Sequence, residues 1–240
     1  MKIAVAIPVY GDPKSKFTQS LLSAICYTYE VNLQDENGDK IPLKIEPFIV
    51  SGLITQARTR LVFECLKWEA DYILWCDSDH TFPADAIARL WSHNKDIVGC
   101  NYARRIHTGA TSPTAAKLNR NEQDDKLCYT TPEKAQAGEI EEVDHLGLGL
   151  CLMKASVFDR LADHAIEQGK EDFMPLFHLV PKGGTNILGE DVFFFDKCRE
   201  AGLQVWCDHG LSWEVGHIAE RILTNAHAVR DHERWKQQEG

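Results

Sequence analysis

No stretch of this 240-residue chain approaches the roughly 18 consecutive apolar residues that a membrane-spanning helix needs, so no such span is expected. The apolar start, Met1-Lys2-Ile3-Ala4-Val5-Ala6-Ile7-Pro8, is short and is interrupted by Pro8. No small-residue cleavage site follows it closely, so it reads as a buried first strand and not as an export signal. Paired cysteines are also missing. The eight cysteines, Cys26, Cys65, Cys76, Cys100, Cys128, Cys151, Cys198 and Cys207, are irregularly spaced and form no Cys-x-x-Cys. That counts against a disulfide framework and against a zinc site, and it points to reduced, buried thiols in a cytoplasmic protein. Basic residues are in deficit: Lys and Arg number 26 against 36 Asp and Glu, a net charge of −10, which excludes a general nucleic-acid-binding coat. Internal repeats and low-complexity tracts are absent. A Gly-rich phosphate loop with Lys or Arg near the N-terminus is absent too, and only Gly11 stands there. This weighs against a nucleotidyltransferase of α/β architecture, which would need such a loop.

What is present is ordinary globular material, 44% hydrophobic and 26% charged, with ample chain to bury a core. Strand and helix patterns mostly alternate. Residues 2–9, 43–50, 72–76, 96–100 and 203–207 read as strands, and 17–29, 52–69 and 189–200 as helices. In the second helix Ala57, Leu61, Cys65 and Trp68 fall on one face. Thr81 reads as an N-cap with Pro83 in the first turn after it, and Gly202 as a helix stop. Residues 103–142 are polar and read as loops with one or two edge strands, 143–154 as strand interrupted by Gly147 and Gly149, and 219–240 as a polar helix that packs on the surface or frays. The expected fold is a three-layer α/β domain with a central, mostly parallel mixed sheet. One domain is expected over 1–240, with a C-terminal helix at 219–240.

The chemistry centres on Asp77-Ser78-Asp79, which follows the apolar strand Tyr72-Ile73-Leu74-Trp75. Ligands bind at the carboxyl ends of strands in open α/β sheets, and two carboxylates one residue apart can address a divalent cation together with a phosphate ligand. Alone, the motif reads equally as an acidic turn capping the next helix. Over 100 residues later, Gly189-Glu190-Asp191 opens a helix, and Gly216-His217-Ile218 follows further on. Glu190 and Asp191 are also what a helix N-terminus favours for capping alone. Taken with the aspartates, His217 makes a carboxylate-plus-imidazole set that suits manganese among divalent ions. Arg104 and Arg105, with His107, Lys117 and Arg120, form the one local basic cluster, which serves either as a phosphate-steering patch or as a solvated loop. The segment 173–177 with Gly183-Gly184 reads as a flap or as an anchored surface loop.

In this order and spacing, Ile7-Pro8-Val9-Tyr10, Gln56-Ala57-Arg58-Thr59-Arg60, Trp75-Cys76-Asp77-Ser78-Asp79, the run from His145 to Met153, Gly189-Glu190-Asp191-Val192 and Gly216-His217 resemble the GT-A glycosyltransferases, especially family 2-like bacterial and phage members. The resemblance covers residues 3–218. It implies a GT-A fold and transfer of a sugar from a nucleotide-sugar donor, a UDP-sugar first among candidates, with Mn2+ or Mg2+ as cofactor. It implies that Pro8, Val9 and Tyr10 line the base and ribose pocket, and that Arg58 approaches the ribose or diphosphate. Asp77 and Ser78 would meet the donor, with Asp77 in or near the metal shell. Asp79 and His217 would ligate the metal, Gly147 and Gly149 would let donor sugar or acceptor approach closely, and Asp191 would act as general base beside Glu190. Two departures stand out: Ser51 occupies the region where an acidic base-reading residue is usual, and Gly11 replaces the usual Asn of the Pro-x-Tyr-Asn turn. The resemblance also implies a nucleotide-binding half at 1–102 and an acceptor-side half at 103–218. The acceptor is open among polysaccharide, lipid-linked sugar, protein and nucleic acid; a saccharide is one candidate, and a hydroxymethylated pyrimidine in phage DNA is another, through Arg104 and Arg105. A non-catalytic nucleotide-sugar-binding module is the remaining reading, against which all four of Asp77, Asp79, Asp191 and His217 are retained.

Overall fold

The structure, a computed structural model, describes residues 1–104, 111–118, 125–169, 176–183, 186–219 and 222–239. In chain order its elements are β1 (Lys2–Val9), α1 (Ser15–Glu30), β2 (Lys44–Ser51), α2 (Ile54–Lys67), β3 (Tyr72–Cys76), β4 (His80–Thr81), α3 (Ala86–Ser92) and β5 (Ile97–Gly99). They continue with β6 (Ala116–Lys117), β7 (Lys126–Leu127), α4 (Pro132–Gln136), β8 (Ile140–Val143), β9 (Leu150–Lys154), α5 (Ser156–Glu167), β10 (Val180–Gly183), β11 (Asn186–Leu188) and α6 (Glu190–Glu200). The last are β12 (Val205–Asp208), α7 (His209–Glu214), β13 (Gly216–Ile218), β14 (Ile222–Thr224) and α8 (Asn225–Glu239).

Seven strands form the central sheet in the order β2-β1-β3-β9-β5-β12-β8. Parallel pairing links β1 to β2 and β3, and β12 to β5; β9 and β8 run against their neighbours. The sheet draws strands from both sides of residue 102. Because side chains alternate across a strand, β1 feeds two cores. Ala4 and Ala6 join Leu61, Val62 and Cys65 of α2, Leu161 of α5 and Phe194 of α6 on one face. Ile3, Val5, Ile7 and Val9 join Phe17 and Leu21 of α1, Ile87 and Leu90 of α3, and Leu211 of α7 on the other. This is the expected three-layer arrangement with a mixed sheet. No helix among the described residues is long and apolar enough to cross a membrane.

The reversal of β9 matters for function. Its start, not its end, lies beside the ends of β3 and β5: Asp77 N–H donates to Gly149 O at 3.1 Å, and Cys100 N–H to Leu150 O at 2.9 Å. Gly147 to Leu150 therefore sit where the parallel strands deliver their ligand-binding residues.

Several local expectations change. Thr81 is not an N-cap. It pairs with Gly216 in a second, three-stranded sheet, β14-β13-β4, and the helix after it starts only at Ala86, with Asp85 at the cap and Pro83 outside. Residues 103–142 do supply an edge strand, β8, to the main sheet, but they also hold a helix, α4, which forms on a Thr131 side-chain cap. Helix α5, whose Val157, Phe158, Leu161 and Ala165 form one buried face, and the short α7 were not among the expected elements. The C-terminal helix is tied down at its first residue: buried Asn225 donates to Asn101 O at 2.8 Å and also to Ser212 O. Of the flap residues, 173–175 and Gly184 lie outside the described residues. Phe177 is core, stacked on Phe194 with centroids 4.9 Å apart and edge-on to Trp75 at 5.5 Å. All eight cysteines are free thiols, and all but Cys26 are buried.

One buried polar corner joins α4, α7 and β8. His209 meets Glu141 at 3.0 Å and Thr130 at 2.8 Å, Lys117 reaches Glu141 at 2.6 Å, and Lys134 pairs with the same carboxylate. Glu139, Glu141 and His209 are close enough to form a metal-type cluster, but the two lysines already neutralise it. Burial alone would raise the Glu141 pKa; Lys117, Lys134 and His209 outweigh it and bring it down to about 2 from an ordinary 4.5. The folded state thus binds fewer protons than the unfolded chain between those values. The stabilisation is complete above pH 4.5 and is lost as the pH falls through about 2. Replacing Glu141 with Gln is expected to lower stability near neutral pH and to flatten the acid limb, read from urea midpoints between pH 6 and pH 2.5; an unchanged limb would rule this out.

Candidate functional site

The site grows from the carboxyl end of β3. That strand is an apolar run buried on both faces, and Asp77-Ser78-Asp79 is the first polar material after it. The turn is held by Lys14 N–H donating to Ser78 O at 3.1 Å and by Ile218 N–H donating to Asp79 O at 2.7 Å. The latter bond brings β13 alongside, and the β4–β13 register sets His217 opposite His80. His80 and His217, 137 positions apart in sequence, thereby come within reach of one another.

Asp79 Oδ2 lies 3.5 Å from His217 Nε2, and Asp79 Oδ1 lies 3.1 Å from His80 Nδ1. His217 Nδ1 donates to the carbonyl of Ala103 at 3.0 Å, which leaves Nε2 as an acceptor facing a carboxylate. Two acceptors so placed call for a cation between them. The donor chemistry of Asp79 and His217 therefore fits the divalent ion that the sequence suggested, and Asp79, His80 and His217 are the group best placed to hold it. Burial opposes the charge on Asp79, but His217, when its Nε2 carries a proton instead of facing an ion, and His80 outweigh it and hold the carboxyl far below the usual range. Burial also lowers the His80 pKa, more than its bond to Asp79 raises it.

Two residues here carried no sequence signal as site residues. His80 is 1% exposed, and its ring stacks on that of His217 with centroids 4.4 Å apart. Tyr102 sets its edge against both imidazoles, at 4.3 Å and 5.7 Å, and its hydroxyl accepts the Gly149 N–H at 3.1 Å. A Cβ on Gly147 would lie 2.1 Å from the Tyr102 hydroxyl, and one on Gly149 would lie 2.6 Å from His80. The close approach that these glycines permit is first of all that of the protein's own rings. The clue lay in the glycine pair itself, which demanded a bulky neighbour without naming it.

Arg58, on α2, is only 3% exposed. Its Nη2 reaches Asp77 Oδ1 at 3.1 Å, its Nε lies 3.5 Å from Glu190 Oε1, and the guanidinium rests over Trp75 at 5.8 Å. Burial works against its charge, but Asp77, Glu190 and Asp191 prevail and its pKa rises. Burial raises that of Glu190, with Asp191 adding and Arg58 subtracting. Asp191 accepts the N–H of Val192 at 2.8 Å at the first turn of α6, where the helix dipole favours an anion. A Cβ on Gly189 would come within 2.8 Å of that carboxylate, so the glycine lets it fold back.

Pro8 and Val9 are buried at the end of β1, and Tyr10 beyond them is 94% exposed. Gly11 has φ of 86°, a left-handed conformation that glycine and asparagine tolerate best, which accounts for glycine where asparagine is usual. Arg104 is exposed, with its N–H donating to Ser112 O at 2.8 Å. Arg105, His107 and Arg120 lie outside the described residues. Lys117, once grouped with them, is engaged by Glu141.

No family model matches the chain, and no curated protein matches it either. Solved structures do. A197 from STIV superposes with a TM-score of 0.55 at 16% identity, over 95% of this chain and 92% of that one. GalNAc-T7, crystallised with UDP, GalNAc and Mn2+, superposes with a TM-score of 0.53 at 14% identity, over 97% of this chain and 47% of that one. S. aureus TarS 1-349 gives a TM-score of 0.37 at 14% identity, over 82% and 55% of the two chains. The chain shares the fold of A197 and GalNAc-T7, a GT-A fold.

Removing Arg58 would strand Asp77 and Glu190 in a poorly solvated place. Arg58→Leu is expected to cost about 3 kcal/mol, the lower end for breaking a buried ion pair, since Asp77 is partly exposed. Urea unfolding of Arg58→Leu, Asp77→Asn and the double variant checks it. The double variant should be less destabilised than the sum of the singles, and strict additivity would show that the pair is not coupled.

Proposed function

We propose that this chain is a cation-dependent glycosyltransferase that moves a sugar from a nucleotide-sugar donor to an acceptor hydroxyl, with inversion, and that its motifs make it family 2-like. The single observation that carries the reading is the acceptor pair Asp79 Oδ2 and His217 Nε2, 3.5 Å apart at the ligand end of the sheet. That GalNAc-T7 shares the fold and was crystallised with UDP, GalNAc and Mn2+ supports a nucleotide-sugar donor, a UDP-sugar first. Fold alone does not carry activity, so the weight rests on the site.

Asp79 and His217 would hold the ion, with Asp77 beside them. An imidazole in the set favours Mn2+ over Mg2+, which prefers oxygen alone. When bound, the cation supplies neutralisation of the leaving diphosphate. The remaining work belongs to the chain. Pro8 and Val9 form the floor of the base and ribose pocket, and exposed Tyr10 gives a ring for the base to rest against. Ser78 and Asp77 face the donor, and Arg58 fixes Asp77 and Glu190 from behind. Gly147 and Gly149 keep the sugar side of the pocket low. Asp191 takes the proton of the acceptor hydroxyl as its oxygen bonds to the anomeric carbon and the diphosphate departs with the electrons of the broken bond.

Donor hydrolysis across UDP-, GDP- and dTDP-sugars should appear with Mn2+, be weaker with Mg2+ and vanish with EDTA. Asp191→Asn should retain donor affinity and lose transfer by on the order of a hundredfold or more. Undiminished turnover by Asp79→Ala under chelation would refute the cation-dependent reading, and retention of the anomeric configuration in the product would refute Asp191 as base.

For the acceptor, we propose a hydroxymethylated pyrimidine in DNA, with a saccharide as the alternative outcome. Exposed Arg104, followed in sequence by Arg105, could attract a phosphate backbone despite the acidic remainder. Duplex DNA containing 5-hydroxymethylcytosine, incubated with donor and Mn2+, should yield a nucleoside heavier by one hexose, and the yield should fall with salt and in Arg104→Ala/Arg105→Ala. No mass gain with a donor that the protein demonstrably hydrolyses would overturn the DNA acceptor in favour of a saccharide or protein one.

A further inference from the structure

We infer that His80 is a positioning residue which holds Asp79 from behind, so that Asp79 and His217 ligate the cation and His80 does not. This rests on the cation-dependent reading above and sharpens it, because proximity alone makes all three residues candidates.

Ring geometry separates the two histidines. A metal bound to an imidazole lies in the ring plane, roughly 2 Å from the nitrogen. The rings of His80 and His217 are stacked, inclined by only 16° with centroids 4.4 Å apart. Planes so nearly parallel meet far outside coordination range, so one ion cannot lie in both. His217 is the ligand of the two: the Ala103 carbonyl fixes its Nδ1 as the donor and turns the Nε2 lone pair toward Asp79. His80 presents the opposite polarity. Its Nε2 is buried without a hydrogen-bond partner among the described residues, and its Nδ1 lies 3.1 Å from Asp79 Oδ1. Were the proton on Nε2, a buried donor would go unmet and a lone pair would face the carboxylate. With the proton on Nδ1, the ring donates to Oδ1 and only an acceptor is left unpaired, the cheaper state.

The packing enforces this role. Tyr102 lies edge-on to His80 at 4.3 Å, and the bare Cα of Gly149 admits the ring edge that carries Nε2. His80 therefore cannot swing toward the ion without displacing Tyr102, whose hydroxyl is tied to Gly149. A ligand's orienting hydrogen bond typically contributes ten- to a hundredfold to metal affinity.

The test uses the full chain and Mn2+ alone, with affinity from the free-ion electron paramagnetic resonance signal and ligand count from the nitrogen couplings of the bound ion. Wild type should show one coordinated imidazole nitrogen, which disappears in His217→Ala and persists in His80→Asn. His80→Asn keeps a donor at the position of Nδ1 and should bind within about threefold of wild type, whereas His80→Ala should bind about ten- to a hundredfold more weakly. Should His80→Ala fail to fold, the nitrogen count in wild type and in His80→Asn decides the matter. Two coordinated imidazoles in wild type, or undiminished affinity in folded His80→Ala, would overturn the inference and leave the cation-dependent reading standing. No Mn2+ binding by wild type would overturn both.

Discussion

A guanidinium with almost no contact with water sets the terms for everything around it. Arg58 leaves the solvent because α2 packs flush against the sheet, and a charge in that place is tolerable only with anions close by. They come from two distant parts of the chain, Asp77 after β3 and Glu190 at the start of α6. One cation thereby fixes where the turn bearing Asp77 and the helix bearing Asp191 stand relative to each other. The account does not balance, however. Asp77, Glu190 and Asp191 all act on one guanidinium, and Asp79 stands only two residues beyond Asp77. A residual negative field at the mouth of a sheet is a natural seat for a second, exchangeable positive charge.

The seat itself depends on a different device. Short strands β4 and β13 have little to offer a core, yet their pairing carries His217 to Asp79, and the Ala103 carbonyl then chooses which nitrogen of the imidazole faces inward. A main-chain carbonyl cannot titrate or be replaced by substitution at its own position, so the tautomer is secured by backbone geometry. Beneath the same corner Asn101 accepts from the N–H groups of Thr114 and Ala115 and donates to Cys128 O and Thr130 Oγ1. Its own carbonyl receives Asn225 at the start of α8. The irregular chain after β5, including Tyr102 and Ala103, is pinned by this one side chain, where no regular ladder could hold it.

The parts that were legible in the sequence are those whose apolar residues form a run or a period. The apolar stretch from Ile3 to Val9 marks a strand buried on both faces, and Ala57, Leu61 and Cys65 mark a helix whose burial recurs every three to four residues; the structure buries those positions. Asp77 and Asp79 stand out because they interrupt an apolar run. Thr81 and Pro83 misled because their helix-start signal is local, whereas the pairing of Thr81 with Gly216 is not. Helix α4 went unread, and the edge strand β8 was expected without a position, because their segment is polar: α4 buries no residue and β8 only Val143. His80 and Tyr102 were missed for a related reason. Nothing local distinguishes a structural ring from one that holds a ligand in place; only the partners do, and these lie 137 and 47 positions away, at His217 and Gly149.

The notch cut by Gly147 for Tyr102 has a consequence for the lineage of this chain. Any side chain at 147 and the phenol at 102 would claim the same space, with a Cβ 2.1 Å from the hydroxyl. Neither position is free to drift alone. A relative that carries alanine or serine at the first must have lost the tyrosine at the second, and with it the hydroxyl that receives the Gly149 N–H. Substitutions at the two sites are therefore bound in order as well as in kind: the ring must shrink before the glycine can grow, so the path between the two versions passes through an intermediate with an empty notch.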